Sequence, residues 1–460
     1  MRETSFIPAA RNPDAYIQDA SGFSGQAQAV FLPENEHQVL QVLDRANRER
    51  VQLTVAGARS GLTGAGVPRG GWVISLEKFR RLEIAKGLAR AGAGITLTEL
   101  QAAAVRTGQF YPPDPTESTA SVGGTIATNA SGSRSFLYGS TRRYVSELRV
   151  ALMTGAVVEY RRGDTIDFSV PEIPWPPTTK CTAGFRLTPG MDFIDLFCGS
   201  EGTLGIVLEA GLQLLNAPGQ LFSAVIFFRT DEDTLDAVDA WRPIPGLRML
   251  EYLDQNSLEL IRSRYPDIPG EAGGALMIEA EGEADMDAWE RRLDAAFALS
   301  EASWFAVSQA DRERFRKLRH SLPELVNATV LGRGFLKMGT DYAVPISSNR
   351  EMLAYYRKRL EAELKGKYVI YGHIGDAHVH VQMLPASVQD SDTATALLRE
   401  FAGEAVRLCG TVSAEHGLGK RKAHLLRLQH SPESIESMMA VKRRFDPHWL
   451  LGRDTLFPAP

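Results

Sequence analysis

Cysteine is nearly absent: the 460 residues hold three, Cys181, Cys198 and Cys409. None pairs with another as C-x-x-C, so a disulfide framework, a zinc ribbon and an iron–sulfur cluster all lack support. No apolar run approaches the ~20 residues of a membrane span. The N-terminal string MRETSFIPAARNPDAY carries acids and proline where a secretory signal needs an apolar stretch. A cytoplasmic location is the expectation, with peripheral attachment to the inner membrane through a partner as an option. Charge of one sign is also lacking: 51 Lys+Arg against 56 Asp+Glu leaves −5. That balance argues against nucleic acid or an anionic membrane as the main partner. Neither common nucleotide fingerprint occurs. Gly92-Ala93-Gly94 lacks the third glycine of G-x-G-x-x-G, and no G-x-x-x-x-G-K-[ST] is present.

What is present is an ordinary globular composition, 44% hydrophobic and 23% charged, long enough for two or three domains. Glycine stands out, with 41 of 460 residues, about 9% against a usual ~7%. Residues 34–49 space Val39, Leu40, Val42, Leu43 and Ala46 as an amphipathic helix. Residues 51–55 and 72–76 read as strands bounded by Gly-rich turns. Residues 163–190, rich in Pro and Thr, read as an exposed loop. After Pro218 the texture changes. Strands at 222–228, 249–253 and 275–279 alternate with helices at 231–242 and 283–298. A second round places helices at 310–327, 349–364 and 391–408, with strands at 335–344, 367–373 and 377–384. Two such passes predict a split-βαβ, ferredoxin-like layer on an antiparallel sheet. The fold class is therefore α+β.

Three segments concentrate Gly with Ser, Thr and Ala: 57–71 (GARSGLTGAGVPRGG), 111–139 and 197–207 (FCGSEGTLGIV). Successive free amides in such turns form concave anion sites, and the hydroxyls add donors. The clusters point to a phosphate-bearing cofactor without saying which. A fourth cluster is made of histidine. Four of nine histidines fall between 373 and 416, in GHIGDAHVH (372–380) and SAEHGLGK (413–420). His378 and His380 share one face of a strand, and Gly375-Asp376 can turn His373 back toward them. Imidazoles with a carboxylate from a second segment suit a divalent metal, Zn²⁺ or Mn²⁺.

The string GARSGLTGAGVP followed by GGWVISLEKFRRL resembles the pyrophosphate loop of the vanillyl-alcohol-oxidase type of FAD-binding domain. YPPDPTESTASVGGTIATNASGSRSFLYGSTRRYV and LFCGSEGTLGIVLEA resemble that domain's second and third flavin segments. The likeness continues through the C-terminal half and is to the FAD-linked D-2-hydroxy-acid dehydrogenases, which act on D-lactate, glycolate or D-2-hydroxyglutarate. It implies a two-subdomain FAD-binding domain at 1–216, a ferredoxin-like substrate domain at 217–410, and a segment at 411–460 packing back near the flavin. It assigns Gly57, Ala58, Ser60, Gly61, Thr63 and Gly64 to the pyrophosphate. Pro113, Asp114, Gly123, Gly124, Ala127, Asn129, Gly139, Gly202, Gly205 and Ile206 would line the flavin. Ala58 stands where the family often has Gly. Relatives with covalent flavin use a His in the first loop; none lies between His37 and His320, so non-covalent FAD is implied.

In the same way the resemblance assigns His373, His380 and Glu415 as metal ligands and His416 as the catalytic base. His378 departs from the family, whose residue there is commonly Asn; an extra ligand, a substrate contact and a residue supporting a ligand from behind are all open. Such a site fits α-hydroxy acid oxidation: the metal acidifies the hydroxyl, His416, expected to titrate near neutrality, takes its proton, and hydride leaves for flavin N5. Arg319 and Lys337 resemble the family's clamp for the substrate carboxylate, with solvated surface charge as the alternative for each. The Lys420-Arg421-Lys422 run reads as a solvated helix start. Electrons would pass to an acceptor not identified by the sequence: a quinone, an electron-transfer flavoprotein or an iron–sulfur subunit. A homodimer is compatible with the chain. Two rivals stand beside this reading: an FAD-binding subunit of an electron-transfer complex, and another alcohol oxidase of the same fold.

Overall fold

Helix Glu36–Glu49 starts where the Asn35 side chain accepts the Gln38 amide at 3.0 Å. Its stripe of Val39, Val42, Leu43 and Ala46 packs with Leu53, Ile74 and Ile206. The computed structural model describes residues 10, 12–282 and 285–459. Beside this helix lies a small parallel sheet in the order Ala29–Phe31, Trp72–Ser75, Leu53–Ala56. The first glycine segment is the crossover leaving the carboxyl end of Leu53–Ala56, the edge of a parallel sheet where ligands collect. A five-stranded antiparallel sheet follows, ordered Leu82–Ala85, Leu88–Gly92, Ile206–Gln213, Val145–Ala151, Val157–Arg161. Its central strand emerges directly from the third glycine segment.

The second half builds a seven-stranded antiparallel sheet: Trp304–Phe305, Leu221–Phe228, Gly274–Glu281, Leu247–Asp254, Tyr368–His373, His378–Met383, Met338–Gly339. Strand Gly274–Glu281 lies between Leu221–Phe228 and Leu247–Asp254, and is antiparallel to both. Strand His378–Met383 lies in the same way between Met338–Gly339 and Tyr368–His373. The sheet is therefore two split-βαβ units side by side, as the sequence predicts. One apolar cluster joins both large sheets, from Leu148, Phe197 and Leu212 to Ile226, Ile278, Val381 and Phe401.

Several expectations shift. The strand expected over 335–344 shortens to Met338–Gly339, because beyond the Thr340 amide, which donates to the Val381 carbonyl, the chain leaves the sheet. The helix expected over 310–327 runs Gln309–Gly332 behind a Ser308–Asp311 capping box. The helix expected over 283–298 spans Met286–Ala295; residues 283–284 of that expectation, and 1–9 and 11 of the N-terminal string, lie outside the described residues. Residues 163–190 form no helix or strand, and half of them are exposed, but the rest turn inward. Ile166, Val170, Ile173, Phe185 and Leu187 are buried in the main core. Apolar side chains spaced between the prolines find more burial there than at the surface, and the stretch carries Lys180 inward. No helix among the described residues is long and apolar enough to cross a membrane.

Candidate active site

The hairpin Tyr368–His373 and His378–Met383 turns through Ile374–Asp376, with Ala377 in left-handed backbone at φ 50°. His373 pairs with His378, and Tyr371 with His380. The imidazole centroids lie 5.3 Å (His373–His378), 5.4 Å (His373–His380) and 4.6 Å (His378–His380) apart. Glu415 comes from the C-terminal segment. One donor atom from each of His373, His378, His380 and Glu415 falls within 4.8 Å of the others.

The rings are held from behind. His373 Nδ1 sits 2.5 Å from Glu251 Oε1, and His380 Nδ1 3.2 Å from the Thr340 carbonyl. Their Nε2 atoms therefore face Glu415 Oε1, at 3.2 and 3.4 Å. Outer oxygens that fix a ring's tautomer and direction are what a metal-binding histidine requires. The donor set, two Nε2 atoms converging on a carboxylate, fits a divalent ion. The other Glu415 oxygen is 3.2 Å from Lys180 Nζ and accepts from Ser131 Oγ at 2.9 Å; Lys180 also meets Asp376 at 3.3 Å. Burial alone would raise the Glu415 carboxyl, but Lys180 and His373 outweigh it and hold it well below the usual carboxylate range. Burial likewise opposes ionisation of Glu251, and Arg319 with His373 overcomes it.

His416 borders this cluster, its side chain 25% exposed. Its ring stacks on His380 at 5.5 Å and 16°. His416 Nδ1 is 3.4 Å from Asp341 Oδ1, and its Nε2 is 3.8 Å from Glu415 Oε1. Asp341 is fully buried and accepts from the Ser413 hydroxyl at 2.8 Å, the His416 amide at 3.0 Å and the Glu415 amide at 3.3 Å. His378 Nε2 lies 3.2 Å from the same carboxylate. Burial lowers His416 to about 4, although Asp341 and Glu415 favour its charged form. This corrects the expectation of near-neutral titration: the ring is neutral at pH 7 and free to accept a proton.

Of the residues matched to the pyrophosphate, Gly57 is pressed against Ser121, where a Cβ would stand 2.5 Å from Oγ. The Ala58 amide donates to Ser121 Oγ at 3.3 Å, and Gly64 turns at φ 75° with its amide on Asp19. Between them, the amides of Arg59, Ser60, Gly61, Leu62 and Thr63 donate to no acceptor among the described residues. With Arg59 in left-handed backbone at φ 60°, this run of free N–H groups suits the diphosphate of FAD. The three glycine segments and the C-terminal turn interlock. The Gly199 and Glu201 amides donate to Ile126 and Ala127 carbonyls at 3.0 and 2.7 Å. The Lys420 and Arg421 amides donate to the Thr63 carbonyl at 3.1 and 3.0 Å. The Glu201 carboxylate accepts the Leu418 and Gly419 amides at 2.9 and 2.8 Å.

Asn129 caps helix Val122–Thr128 in left-handed backbone and lines a polar cavity of about 340 Å³ with Ser131, Arg142, Lys180 and Ala414. Gly202 lies against Val55, and Gly139 closes helix Ser135–Tyr138. Pro113 is buried, and Asp114 pairs with Arg134 at 3.0 Å in a second cavity of about 90 Å³. Gly123 and Gly124 are taken up by the helix: their amides donate to the Ala93 carbonyl and Ser121 Oγ. At Gly205 a Cβ would meet Val150 at 2.7 Å, and the Ile206 side chain belongs to the apolar core.

Arg319 borders the smaller cavity, but its Nε donates to Glu251 at 2.9 Å and its Nη1 to Thr116 at 3.0 Å. Lys337 has neither an ion pair nor a hydrogen bond among the described residues, and burial lowers it to about 8, with Lys422 adding to the shift. Lys422 is half-buried, within electrostatic reach of Asp341 and Lys337, not a solvated member of a basic run. Sequence reasoning passed over Glu251, Asp341 and Lys180. Glu251 carried a signal, the one acid in the mainly apolar run LRMLEYL, which also holds Arg248, and Asp341 stood unremarked as a partner to histidines.

Residues 27–161 match the family described as FAD binding domain, and residues 220–455 match FAD linked oxidases, C-terminal domain. The chain belongs to the FAD-linked oxidases. As such it is an enzyme, an oxidoreductase of the flavoprotein class. The D-lactate dehydrogenase of Archaeoglobus fulgidus is 31% identical to this FAD-linked oxidase, over 92% of this chain and 90% of its own. The glycolate oxidase subunit GlcD of Bacillus subtilis is 30% identical, over 96% and 92%. A D-2-hydroxyglutarate dehydrogenase of Xanthomonas citri pv. viticola is 30% identical, over 93% and 89%. Among solved structures, an alkyldihydroxyacetonephosphate synthase aligns with TM-score 0.64 at 16% identity, covering 94% of this chain and 76% of its own, a likeness of fold alone.

Proposed function

We propose that this enzyme oxidises a D-2-hydroxy acid of the D-lactate, glycolate or D-2-hydroxyglutarate type to the 2-oxo acid. The carrying observation is the His416–Asp341 pair set beside His373, His380 and Glu415, where all three glycine segments meet the C-terminal turn. Residues 1–216 would form the FAD domain, 217–410 the substrate domain and 411–460 the returning segment. His373, His380 and Glu415 would hold a divalent ion, and the amides of residues 59–63 the FAD diphosphate. When bound, the ion supplies acidity to the substrate hydroxyl and FAD supplies the acceptor for the α-hydrogen with its electron pair.

His416 Nε2 takes the hydroxyl proton as the alcohol C–O becomes C=O. Asp341, accepting at Nδ1, fixes the tautomer that leaves Nε2 unprotonated. Lys337 offers an ammonium group with no counter-ion among the described residues to the substrate carboxylate, and Lys422, beside Asp341, adds positive charge there. The two electrons then pass to a quinone, an electron-transfer flavoprotein or an iron–sulfur subunit. Because one relative is named as a subunit of glycolate oxidase, service within a larger electron-transfer complex is the second reading.

The test is anaerobic addition of D-lactate, glycolate, D-2-hydroxyglutarate and D-malate to the purified enzyme while its visible spectrum is followed. Bleaching of a ~450 nm flavin band by one of them is expected. A protein without that band refutes the cofactor, and a band that no hydroxy acid bleaches favours the second reading.

A further inference from the structure

His378 is the residue that the reading above leaves unused. It begins strand His378–Met383, faces His373 across the hairpin, and shares a strand face with His380. Its side chain is fully buried at 0% exposure, which removes it from direct contact with a substrate entering from solvent. Its Nε2 lies 3.2 Å from Asp341 Oδ1, and its buried Nδ1 has no hydrogen-bond partner among the described residues. A buried ring nitrogen with no partner is a cost that proteins rarely leave standing. It is also not a prop for its neighbours, because it donates nothing to His373, His380 or Glu415.

The pattern around the other two histidines supplies the answer. Each has one nitrogen against an oxygen behind it, Glu251 for His373 and the Thr340 carbonyl for His380, and the other nitrogen turned to the centre. His378 repeats the pattern with Asp341, whose Oδ1 is 3.2 Å from its Nε2. Nδ1 is then the atom left over, and a His378 donor atom falls in the same 4.8 Å cluster as His373, His380 and Glu415.

We propose that His378 is a third imidazole ligand, so that the ion is held by three histidines and one glutamate, with Asp341 aligning both His378 and the base His416. This inference rests on the metal site proposed above. With four protein donors, no fourth position would be left open, and a substrate oxygen would have to add as a further ligand.

The experiment compares the wild-type enzyme with His378→Asn and His378→Gln, each stripped with a chelator and reloaded with Zn²⁺ or Co²⁺. Loss of a residue merely behind a ligand weakens metal binding by ~10–100-fold, so loss of a ligand should weaken it at least that much. The Co²⁺ absorption bands should also change, and X-ray absorption on the Zn²⁺-loaded wild type should count three imidazoles. The wild-type count holds the proposal to account even where both variants fail to fold. Unchanged affinity and Co²⁺ bands in the variants, or a count of two imidazoles, overturn this inference and leave the two-histidine site standing. A wild-type protein that takes up no divalent ion overturns both.

Discussion

Glu251 Oε1 stands 2.5 Å from His373 Nδ1, while its Oε2 accepts from Arg319 Nε at 2.9 Å. The arginine therefore acts on the candidate metal site through two intervening residues. It bonds the carboxylate that orients the imidazole, and all three lie deep in the protein. Glu251→Gln keeps the size of the side chain but removes the second acceptor oxygen and the charge facing Arg319. Metal affinity, measured by competition with a chelator, should fall roughly 10–100-fold, with little change in flavin content. An unchanged affinity would show that His373 needs no support from behind.

Asp341 should act on proton transfer through His416, beside whatever it does through His378. His416→Ala should lower kcat by roughly 10²–10⁴-fold, the usual worth of a general base, with the flavin spectrum retained. Asp341→Asn should also lower kcat, because an amide can present N–H to Nδ1 and favour the wrong tautomer. If the aspartate works through His416, the double variant should be no slower than His416→Ala alone. Additive losses in kcat would instead place Asp341's main effect at His378 and the Glu415 amide, which it also holds.

These two carboxylates mark the limit of what the sequence shows. Glycine segments are legible because turn chemistry is local, and the GHIGDAHVH hairpin is legible because strand side chains alternate. The split-βαβ pattern follows from periodicity for the same reason. Glu251, Asp341 and Lys180 are illegible as site residues because each reaches the histidines or Glu415 from a distant part of the chain. Nothing beside Lys180 in a Pro- and Thr-rich stretch announces that residues 180–185 turn inward, or that its ammonium meets Glu415 and Asp376. Local composition reports turns and faces; it does not report which faces meet.

Glu201 makes stability sensitive to pH. Burial pushes its carboxyl up to about 7, against the Leu418 and Gly419 amides and Lys420, which favour the charged form; its ordinary value is 4.5. As pH rises, the unfolded chain gives up this proton first. The stability tied to protonated Glu201 is therefore complete below about pH 4.5 and is lost as pH climbs through about 7. Glu201→Gln lacks this ionisation. Comparing melting temperatures from pH 5 to pH 8, the gap between variant and wild type should move in the variant's favour. A gap independent of pH would rule the coupling out.

Lys337 and Lys422 should hold the substrate's carboxylate. Both are half-buried, and neither forms an ion pair among the described residues. Lys422 has Asp341 within electrostatic reach, but Lys337 has no counter-ion, and a half-buried ammonium so placed gains by meeting an anion. A hydrogen bond to a charged group contributes about 1.5–3 kcal/mol, so Lys337→Met should raise KM for the hydroxy acid by roughly 10–100-fold and change kcat less. Burial lowers Lys337 to about 8, so the wild-type KM should climb as pH passes that value. Lys337→Arg keeps its charge and should lose that alkaline limb while retaining part of the binding. If KM ignores both substitutions and shows no alkaline rise, the carboxylate is held elsewhere. Arg319, which borders the smaller cavity although Glu251 already engages it, would then be the group to replace next.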